Sequence, residues 1–325
     1  MKRAELHIYK SSTIPEVRME GGGSLPEAEN PDARVVLIQP DGTAIAHAAM
    51  WWRDTPLLDG VPVGTIGAFA ALDGGAAEQI LQAAMTTLRE AGCSVAVGPM
   101  NGNTWRSYRF VTESSDRKSF LLEPRNTDGY PAWWRGAGFR DLSHYTSSVM
   151  PLDGVATFPA RLRERLEKSG LVIRKIDPTK FDEELELIYE LSLKCFTKNF
   201  LYTPLGKEAF VGGYQRIKER VDEDFVRIAE RGGVACGFIF GIADLEATLR
   251  GEKPALIVKT LAVDPASRCA GLGSLLVDEI HQSAWRKGYT EAIHALQHET
   301  NTSLKITGRH QGNVFRRYTL FYQGL

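Results

Sequence analysis

Long apolar runs, a charge excess of one sign and paired cysteines are all missing from this 325-residue sequence. No stretch approaches the roughly 20 apolar residues that a membrane-spanning helix needs, and the start has no apolar signal core. The 39 basic and 40 acidic residues leave a formal net charge of -1, which gives no global attraction to nucleic acid or an anionic membrane. We therefore expect a cytoplasmic protein with neither nucleic acid nor membrane as partner.

The four cysteines are far apart and lack the paired spacing of a zinc site, which favours reduced thiols and no bound metal. They are Cys93, Cys195, Cys236 and Cys269. Two nucleotide-binding motifs are missing as well: the dinucleotide Gly-x-Gly-x-x-Gly and the Lys-Ser/Thr pair of a P-loop. What is present is enough apolar sequence, 43% of residues, for two domains with their own cores.

A glycine-containing loop joins a predicted strand to a predicted helix. Residues 255–263 form a nearly continuous apolar run with β-branched side chains, typical of a strand covered on both faces. Apolar residues then recur at helical spacing from 272 to 284, and Lys287 with Gly288 is typical of a helix end. Because a helix N-terminus carries unpaired N–H groups and partial positive charge, a bare loop before it can hold a pyrophosphate.

The loop has the sequence Arg-Cys-Ala-Gly-Leu-Gly over residues 268–273. Gly271 and Gly273 lack the Cβ atoms that would block a phosphate, and Arg268 could neutralise its charge. The alternative interpretation is an ordinary tight turn whose arginine is only solvated. The spacing Arg-x-x-Gly-x-Gly, with a helix and then a new strand at 291–297, resembles the acyl-CoA loop of the GNAT N-acyltransferase superfamily.

This resemblance implies an α/β (α+β) fold of tandem GNAT-like domains, each a mixed, mostly antiparallel sheet flanked by helices. It implies acyl-CoA, in the first instance acetyl-CoA, as the cofactor. The main chain of the strand before the loop would bind the pantetheine arm, the loop would bind the diphosphate, and an asparagine after the next strand would help to hold the arm. The implied cofactor-binding residues are Leu261, Ala262, Val263, Arg268, Cys269, Ala270, Gly271, Leu272, Gly273, Ser274 and Asn301.

An internal repeat extends the same plan to the first half of the chain. An offset of 196 residues places Gly92 on Gly288 and Gly75 on Gly271, but it places Leu72 on Arg268. The Gly-Pro-Met-Asn turn at 98–101 and a later helix ending in Gly-Phe resemble the N-terminal halves of bacterial tandem GNAT-like proteins. We therefore expect a degenerate GNAT-like domain without a phosphate loop at 1–150 and an acyl-CoA-binding domain at 151–325.

Two segments are candidates for the acceptor site. Residues 103–108 form a polar and aromatic run that could line a cleft or could equally be a surface loop. Residues 196–206 contain Phe200, Tyr202 and Pro204, and they stand where the resemblance places an acceptor-binding loop.

The catalytic groups are less well defined. GNAT chemistry, as the resemblance implies it, needs a base for the amine, a donor for the thioester carbonyl and an acid for the departing sulfur. The glutamate that many members carry as base is missing, since the equivalent stretch is Lys259 and Thr260. His298 is our candidate base and Tyr318 our candidate acid. The alternatives are a solvated strand-end histidine and a core tyrosine.

The sequence thus predicts an acyl-CoA-dependent N-acyltransferase that moves an acetyl group to a primary amine of a small molecule or peptide. A homodimer is a candidate assembly. One alternative is a Fem-type aminoacyl transferase, which shares the double fold but lacks a CoA loop. The other is a CoA-binding sensor or interaction protein without turnover, because the usual glutamate and tyrosine are missing.

Overall fold

The computed structural model describes residues 4–10, 17–153, 157–215 and 217–325. The strands are β1 (Glu5–Tyr9), β2 (Ala33–Ile38), β3 (Ala44–Trp51), β4 (Leu57–Leu58), β5 (Val61–Pro62), β6 (Gly64–Ala71), β7 (Val95–Gly98), β8 (Phe110–Ser114), β9 (Arg140–Pro151), β10 (Leu171–Lys175), β11 (Val226–Arg231), β12 (Val234–Ala243), β13 (Leu256–Val263), β14 (Glu291–His298) and β15 (Asn313–Gly324). The helices are α1 (Gly74–Glu90), α2 (Gly129–Gly136), α3 (Ala160–Lys168), α4 (Phe181–Cys195), α5 (Lys207–Gln215), α6 (Leu245–Leu249), α7 (Leu272–Arg286) and α8 (Ser303–Arg309).

One mostly antiparallel sheet runs through both halves. Its strand order is β1-β2-β3-β6-β7-β15-β9-β14-β13-β12-β11-β10, with β8 pairing β15 outside this path. Two of its pairings are parallel, β6 with β7 and β13 with β14. The sheet and its flanking helices therefore confirm the predicted fold class. The mixed pattern, mostly antiparallel with one parallel pair, is present in each half of one continuous sheet.

The two halves exchange their last strands. β15, at the end of the chain, pairs with β7 of the first half, with Phe321 opposite Gly98. β9, at the end of the first half, pairs with β14 of the second, with Met150 opposite Ala292. β9 and β15 also pair with each other at the centre of the sheet. Neither half therefore completes its sheet without a strand from the other.

Helices cover the sheet where the apolar periodicity predicts them. α1 buries Ile80, Leu81 and Leu88 against the first-half strands. In the second half, α7 packs on one face of the sheet through Leu272, Leu276 and related residues, and α4 packs within a separate core cluster. Among the described residues, no helix is long and apolar enough to cross a lipid bilayer.

The predicted ends of α1 and α7 agree closely with the structure. Gly92 and Gly288 follow these helices at φ values of +89° and +86°, in the left-handed region where glycine is favoured. The two glycines that the sequence repeat aligns therefore have the same structural position, in the turn that follows a helix.

Candidate active site

The cavity at the centre of the second half begins where two parallel strands separate. β13 and β14 pair from Leu256 opposite Ala292 to Val258 opposite His294, and the pairing ends there. β13 stays bonded to β12 as far as Val263, whereas β14 changes register against β9 after His294. The edge of β13 that faces β14 is thus left without a strand partner.

A cavity of about 190 Å³ fills this opening. Its lining includes Lys259, Thr260, Leu261, His294, Leu296, Gln297, Asn301 and Ser303. Of the three predicted pantetheine-binding residues, Leu261 lines the cavity, Ala262 is buried in the core and Val263 is partly buried beside α7. Since their predicted role is carried by the main chain, the open edge of β13 is the relevant feature.

The predicted phosphate loop is a sharp turn into α7. Asp264 accepts a hydrogen bond from the Ala266 N–H at 2.8 Å, which starts the turn. Arg268 then adopts a left-handed conformation with φ +51°, and Gly271 adopts another with φ +94° directly before the helix. Cys269 is buried between them. Its burial agrees with a loop-filling role.

Unpaired backbone N–H groups collect at this turn. Leu272 and Leu275 donate to Cys269 and Gly271, which closes the first turn of α7. No acceptor within the described ranges bonds the amides of Ala270, Gly271, Gly273 and Ser274. These four donors and the helix dipole make the turn suited to a phosphate group.

Two arginines add positive charge at the same place. Arg268 is exposed and has no ion-pair partner in the described part of the chain. Arg309, in the last turn of α8, donates to Ser274 Oγ at 3.2 Å. Sequence analysis missed Arg309 because α8 is brought beside the start of α7 only by the tertiary fold.

Asn301 is held at the boundary of the cavity. Its N–H donates to the His298 carbonyl at 2.8 Å, and its Oδ1 accepts the Ser303 N–H at 2.9 Å. Gln297 and Thr307 tie α8 to β14 through a 2.9 Å hydrogen bond between their side chains. Asn301 is therefore held beside the opening between β13 and β14.

A larger cavity of about 390 Å³ adjoins the first, with which it shares Phe196, Asn199, Leu296 and Asn301. Both halves line it. The first half contributes Thr104, Trp105, Tyr108 and Tyr145, and the second contributes Phe196, Lys198, Asn199, Phe200, Tyr202, Leu296, His298, Thr300, Asn301 and Thr302. The two segments predicted for the acceptor site thus meet at one cavity, and Trp105 Nε1 joins them by donating to the Thr203 carbonyl at 2.7 Å.

His298 lines this larger cavity, and both of its ring nitrogens have protein partners. Nδ1 accepts the Thr300 N–H at 3.1 Å, so in the neutral ring Nε2 carries the proton and donates to Ser143 Oγ at 2.7 Å. Ser143 in turn donates to Glu299 at 3.2 Å. Burial, opposed in part by Glu299, lowers the pKa of His298 below its ordinary value. The histidine is therefore neutral at physiological pH.

Tyr318 lies in the core, and its side chain is not part of the lining of either cavity. Its hydroxyl donates to Glu123 at 2.5 Å and lies 2.9 Å from Ser147 Oγ. Burial first, and then Glu123, raise the pKa of Tyr318. This environment favours a structural role. Tyr108 and Tyr145, which sequence analysis did not select as acids, are the tyrosines of the first half at the cavity.

The start of α1 in the first half differs from that of α7. Asp73 caps α1 by accepting the Ala76 N–H at 2.8 Å, so a side chain already bonds the helix start. Asn101 Oδ1 accepts the Ala68 N–H of β6 at 2.7 Å, which places the turn after β7 against that strand. In the sequence repeat, Leu72 takes the position of Arg268.

Comparison with known proteins agrees with this geometry. Residues 185–305 match the Acetyltransferase (GNAT) family. The chain is 24% identical over 183 residues to Protein YghO of Escherichia coli (strain K12), covering 56% of this chain and 45% of that protein. It is 25% identical over 205 residues to the Bacterial ceramide synthase of Caulobacter vibrioides, covering 58% and 50%. The chain thus spans about half the length of these curated relatives.

A solved tandem GNAT protein from the clavulanic acid biosynthesis pathway has a similar fold. Its TM-score is 0.53 at 15% identity, covering 90% of this chain and 82% of that one. This similarity indicates a tandem GNAT-like fold. Within this fold, residues 185–305 carry the match to the Acetyltransferase (GNAT) family.

Proposed function

We propose that this protein transfers an acyl group, in the first instance acetyl from acetyl-CoA, to a primary amine that binds in the larger cavity. The domain boundary follows residue 150 in chain order, with β9 and β15 exchanged between the domains. The second domain holds the acyl-CoA. The first domain contributes Trp105, Tyr108 and Tyr145 to the acceptor side.

The observation that carries this proposal is the set of unpaired amides at the start of α7, directly after the open edge of β13. A diphosphate would accept hydrogen bonds from these amides and from Arg268, with Arg309 close by. Glycine is needed at position 271 because its φ of +94° is rare for any other residue. Acyl-CoA supplies the activated thioester carbonyl when it is bound.

The protein's own residues then position and deprotonate the amine. His298 remains the candidate base, and its neutral ring at the cavity wall suits that role. To accept a proton at Nδ1 it must exchange its bond to Thr300 for one to the substrate. Tyr318 could serve as acid only through Ser147, whose Oγ also accepts the Leu296 N–H at 3.3 Å beside the cavity.

The test is thiol release from acetyl-CoA across a panel of polyamines, amino acids, aminoglycosides and peptides. We expect at least one class of amine to release thiol, with the acetylated amine identified by mass spectrometry and the activity strongly reduced in Arg268→Ala. If CoA binds but no amine is acetylated, the CoA-binding sensor becomes the better account. Thiol-independent transfer from an aminoacyl donor would favour the Fem-type alternative.

A second candidate acceptor is a long-chain amine. The larger cavity is lined by aromatic rings, among them Trp105, Phe196 and Phe200, which suit aliphatic chains. The relative named Bacterial ceramide synthase points in the same direction. Parallel assays with long-chain acyl-CoA and long-chain amines test this candidate against acetyl transfer to polar amines.

A further inference from the structure

Arg109 has a buried positive charge without a counter-ion in the described ranges. The residue is 7% exposed, and its Nε and Nη1 atoms are buried without a hydrogen-bond partner. Its guanidinium carbon lies 3.8 Å from the ring centroid of Tyr108 and 4.1 Å from that of Tyr145. These rings offset part of the charge, but they leave N–H donors without hydrogen-bond acceptors, which is costly inside a protein.

The other buried arginines show how unusual this is. Arg34 donates to the Ala28 carbonyl at 2.9 Å, and Arg227 donates to Ser283 Oγ at 2.8 Å. Arg316 forms an ion pair with Glu123 at 2.9 Å. Each of these three side chains is therefore bonded within the protein. Arg109 makes no such bond, and because its Nε and Nη1 are fully buried, Nη2 is the donor that a ligand can reach.

A second cation lies nearby. Lys259 lines the smaller cavity and has no ion pair or hydrogen bond with any described residue. The Lys259 side chain is exposed where it lines the cavity. Desolvation by the surrounding protein first, and then the charge of Arg109, lower its pKa to about 8. The charge of Arg109 also contributes to the lowered pKa of His298, which lines the larger cavity. Arg109 is thus within electrostatic range of a wall of each cavity.

The two stacking tyrosines connect Arg109 to the acceptor side. Tyr108 and Tyr145 both line the larger cavity, and Arg109 lies against both rings. The two cavities adjoin, so a ligand group near Arg109 and Lys259 is also near the opening between β13 and β14. Lys259 lines the smaller cavity, and Arg109 lies behind two tyrosines of the larger one. Unpaired positive charge beside both cavities favours an anion that enters with the substrate.

We propose that the acceptor amine carries an oxyanion group, a carboxylate or a phosphate, that binds to Arg109 with Lys259 beside it. This assignment rests on the proposed function, because it names the acceptor class of the same site. An acceptor of this kind is held at one end by the two cations, and its amino group is directed toward the acyl donor. A neutral amine of the same size lacks the first of these contacts.

The test compares matched amines that differ only in the anionic group. The pairs are glycine with glycinamide, phenylalanine with phenylalaninamide, and phosphoethanolamine with ethanolamine. Two readouts are taken on the intact chain: binding to the protein with CoA by calorimetry, and thiol release from acetyl-CoA. The variants are Arg109→Met, which keeps a long side chain between the tyrosines, and Lys259→Met. The matched control is Arg89→Met, at an exposed position of α1.

We expect at least one anionic member to bind roughly ten- to hundredfold more tightly than its neutral partner, as a charge-assisted contact implies. Arg109→Met should remove that preference, Lys259→Met should reduce it, and Arg89→Met should leave it unchanged. The matched pair with the larger difference in affinity shows whether the site prefers a carboxylate or a phosphate. Equal binding of all matched members to the wild type, or a preference that survives in folded Arg109→Met, overturns the proposal. Anion binding without thiol release contradicts acetyl transfer and leaves the anion site standing.

Discussion

Replacing Gly271 with valine should weaken CoA binding more than any single charge removal at the loop. Gly271 has φ +94°, and a valine there must enter a left-handed conformation that costs about 1–2 kcal/mol or shift the turn. The shift would misalign the unpaired amides of Ala270 and Gly273. Arg268→Ala removes one exposed charge-assisted contact, at the lower end of roughly 1.5–3 kcal/mol, or about a tenfold rise in the dissociation constant.

The chain provides a matched control at the other end of the same helix. Gly288 has φ +86°, and a Cβ added there meets nothing within 4 Å. Gly288→Val therefore imposes a similar backbone cost far from the loop. Calorimetric titration with CoA should show weak or no binding for Gly271→Val, reduced binding for Arg268→Ala and wild-type binding for Gly288→Val. Unchanged affinity in both loop variants, with the proteins folded, would refute the phosphate-loop assignment.

Four further outcomes can be measured on single variants. Asp73→Ala should lower the free energy of unfolding by about 1 kcal/mol through loss of a helix cap, with CoA affinity unchanged in calorimetry. His298→Ala should lower kcat more than it raises KM and remove the acid limb of the pH–rate profile, since a pKa below its ordinary value keeps the ring neutral until the pH falls through it. Affinity for an anionic amine should fall as pH rises through about 8, where Lys259 loses its proton, and Lys259→Met should flatten that dependence. Glu123→Gln should destabilise the protein by about 3 kcal/mol in urea unfolding, because it leaves Arg316 of the exchanged strand β15 without its buried partner; a loss near zero would mean that other acceptors satisfy Arg316.

Local patterns were sufficient to predict β13, α1 and α7, but not β1, β8 or α6. The apolar run before the loop, the helical spacing after it and the glycines at 92 and 288 each depend on a few neighbouring residues, and the structure has each element within one or two residues of its predicted bounds. The exchange of β9 and β15 was not predicted. A strand's periodicity specifies its buried face but not the strand beside which it lies, because that pairing joins residues far apart in sequence.

The residues of the candidate site also differ in whether the sequence could identify them. The loop at 268–273 could be named because its glycines stand between a predicted strand and a predicted helix, and Asn301 because of the resemblance to the GNAT superfamily. Arg109 could not, since an arginine between Tyr108 and Phe110 gives no sign that it will be buried without a partner. Tyr318 was selected for its residue type, and its position on a strand at the centre of the sheet buries it instead.

The central claim is that the second domain alone binds acyl-CoA and the first shapes the acceptor side. Because the domains exchange strands, the measurement must use the intact chain. Calorimetric titration of acetyl-CoA into the wild type should give one site per chain, and Gly271→Val should remove it. Two sites of comparable affinity, or one site that persists in folded Gly271→Val, would contradict the claim.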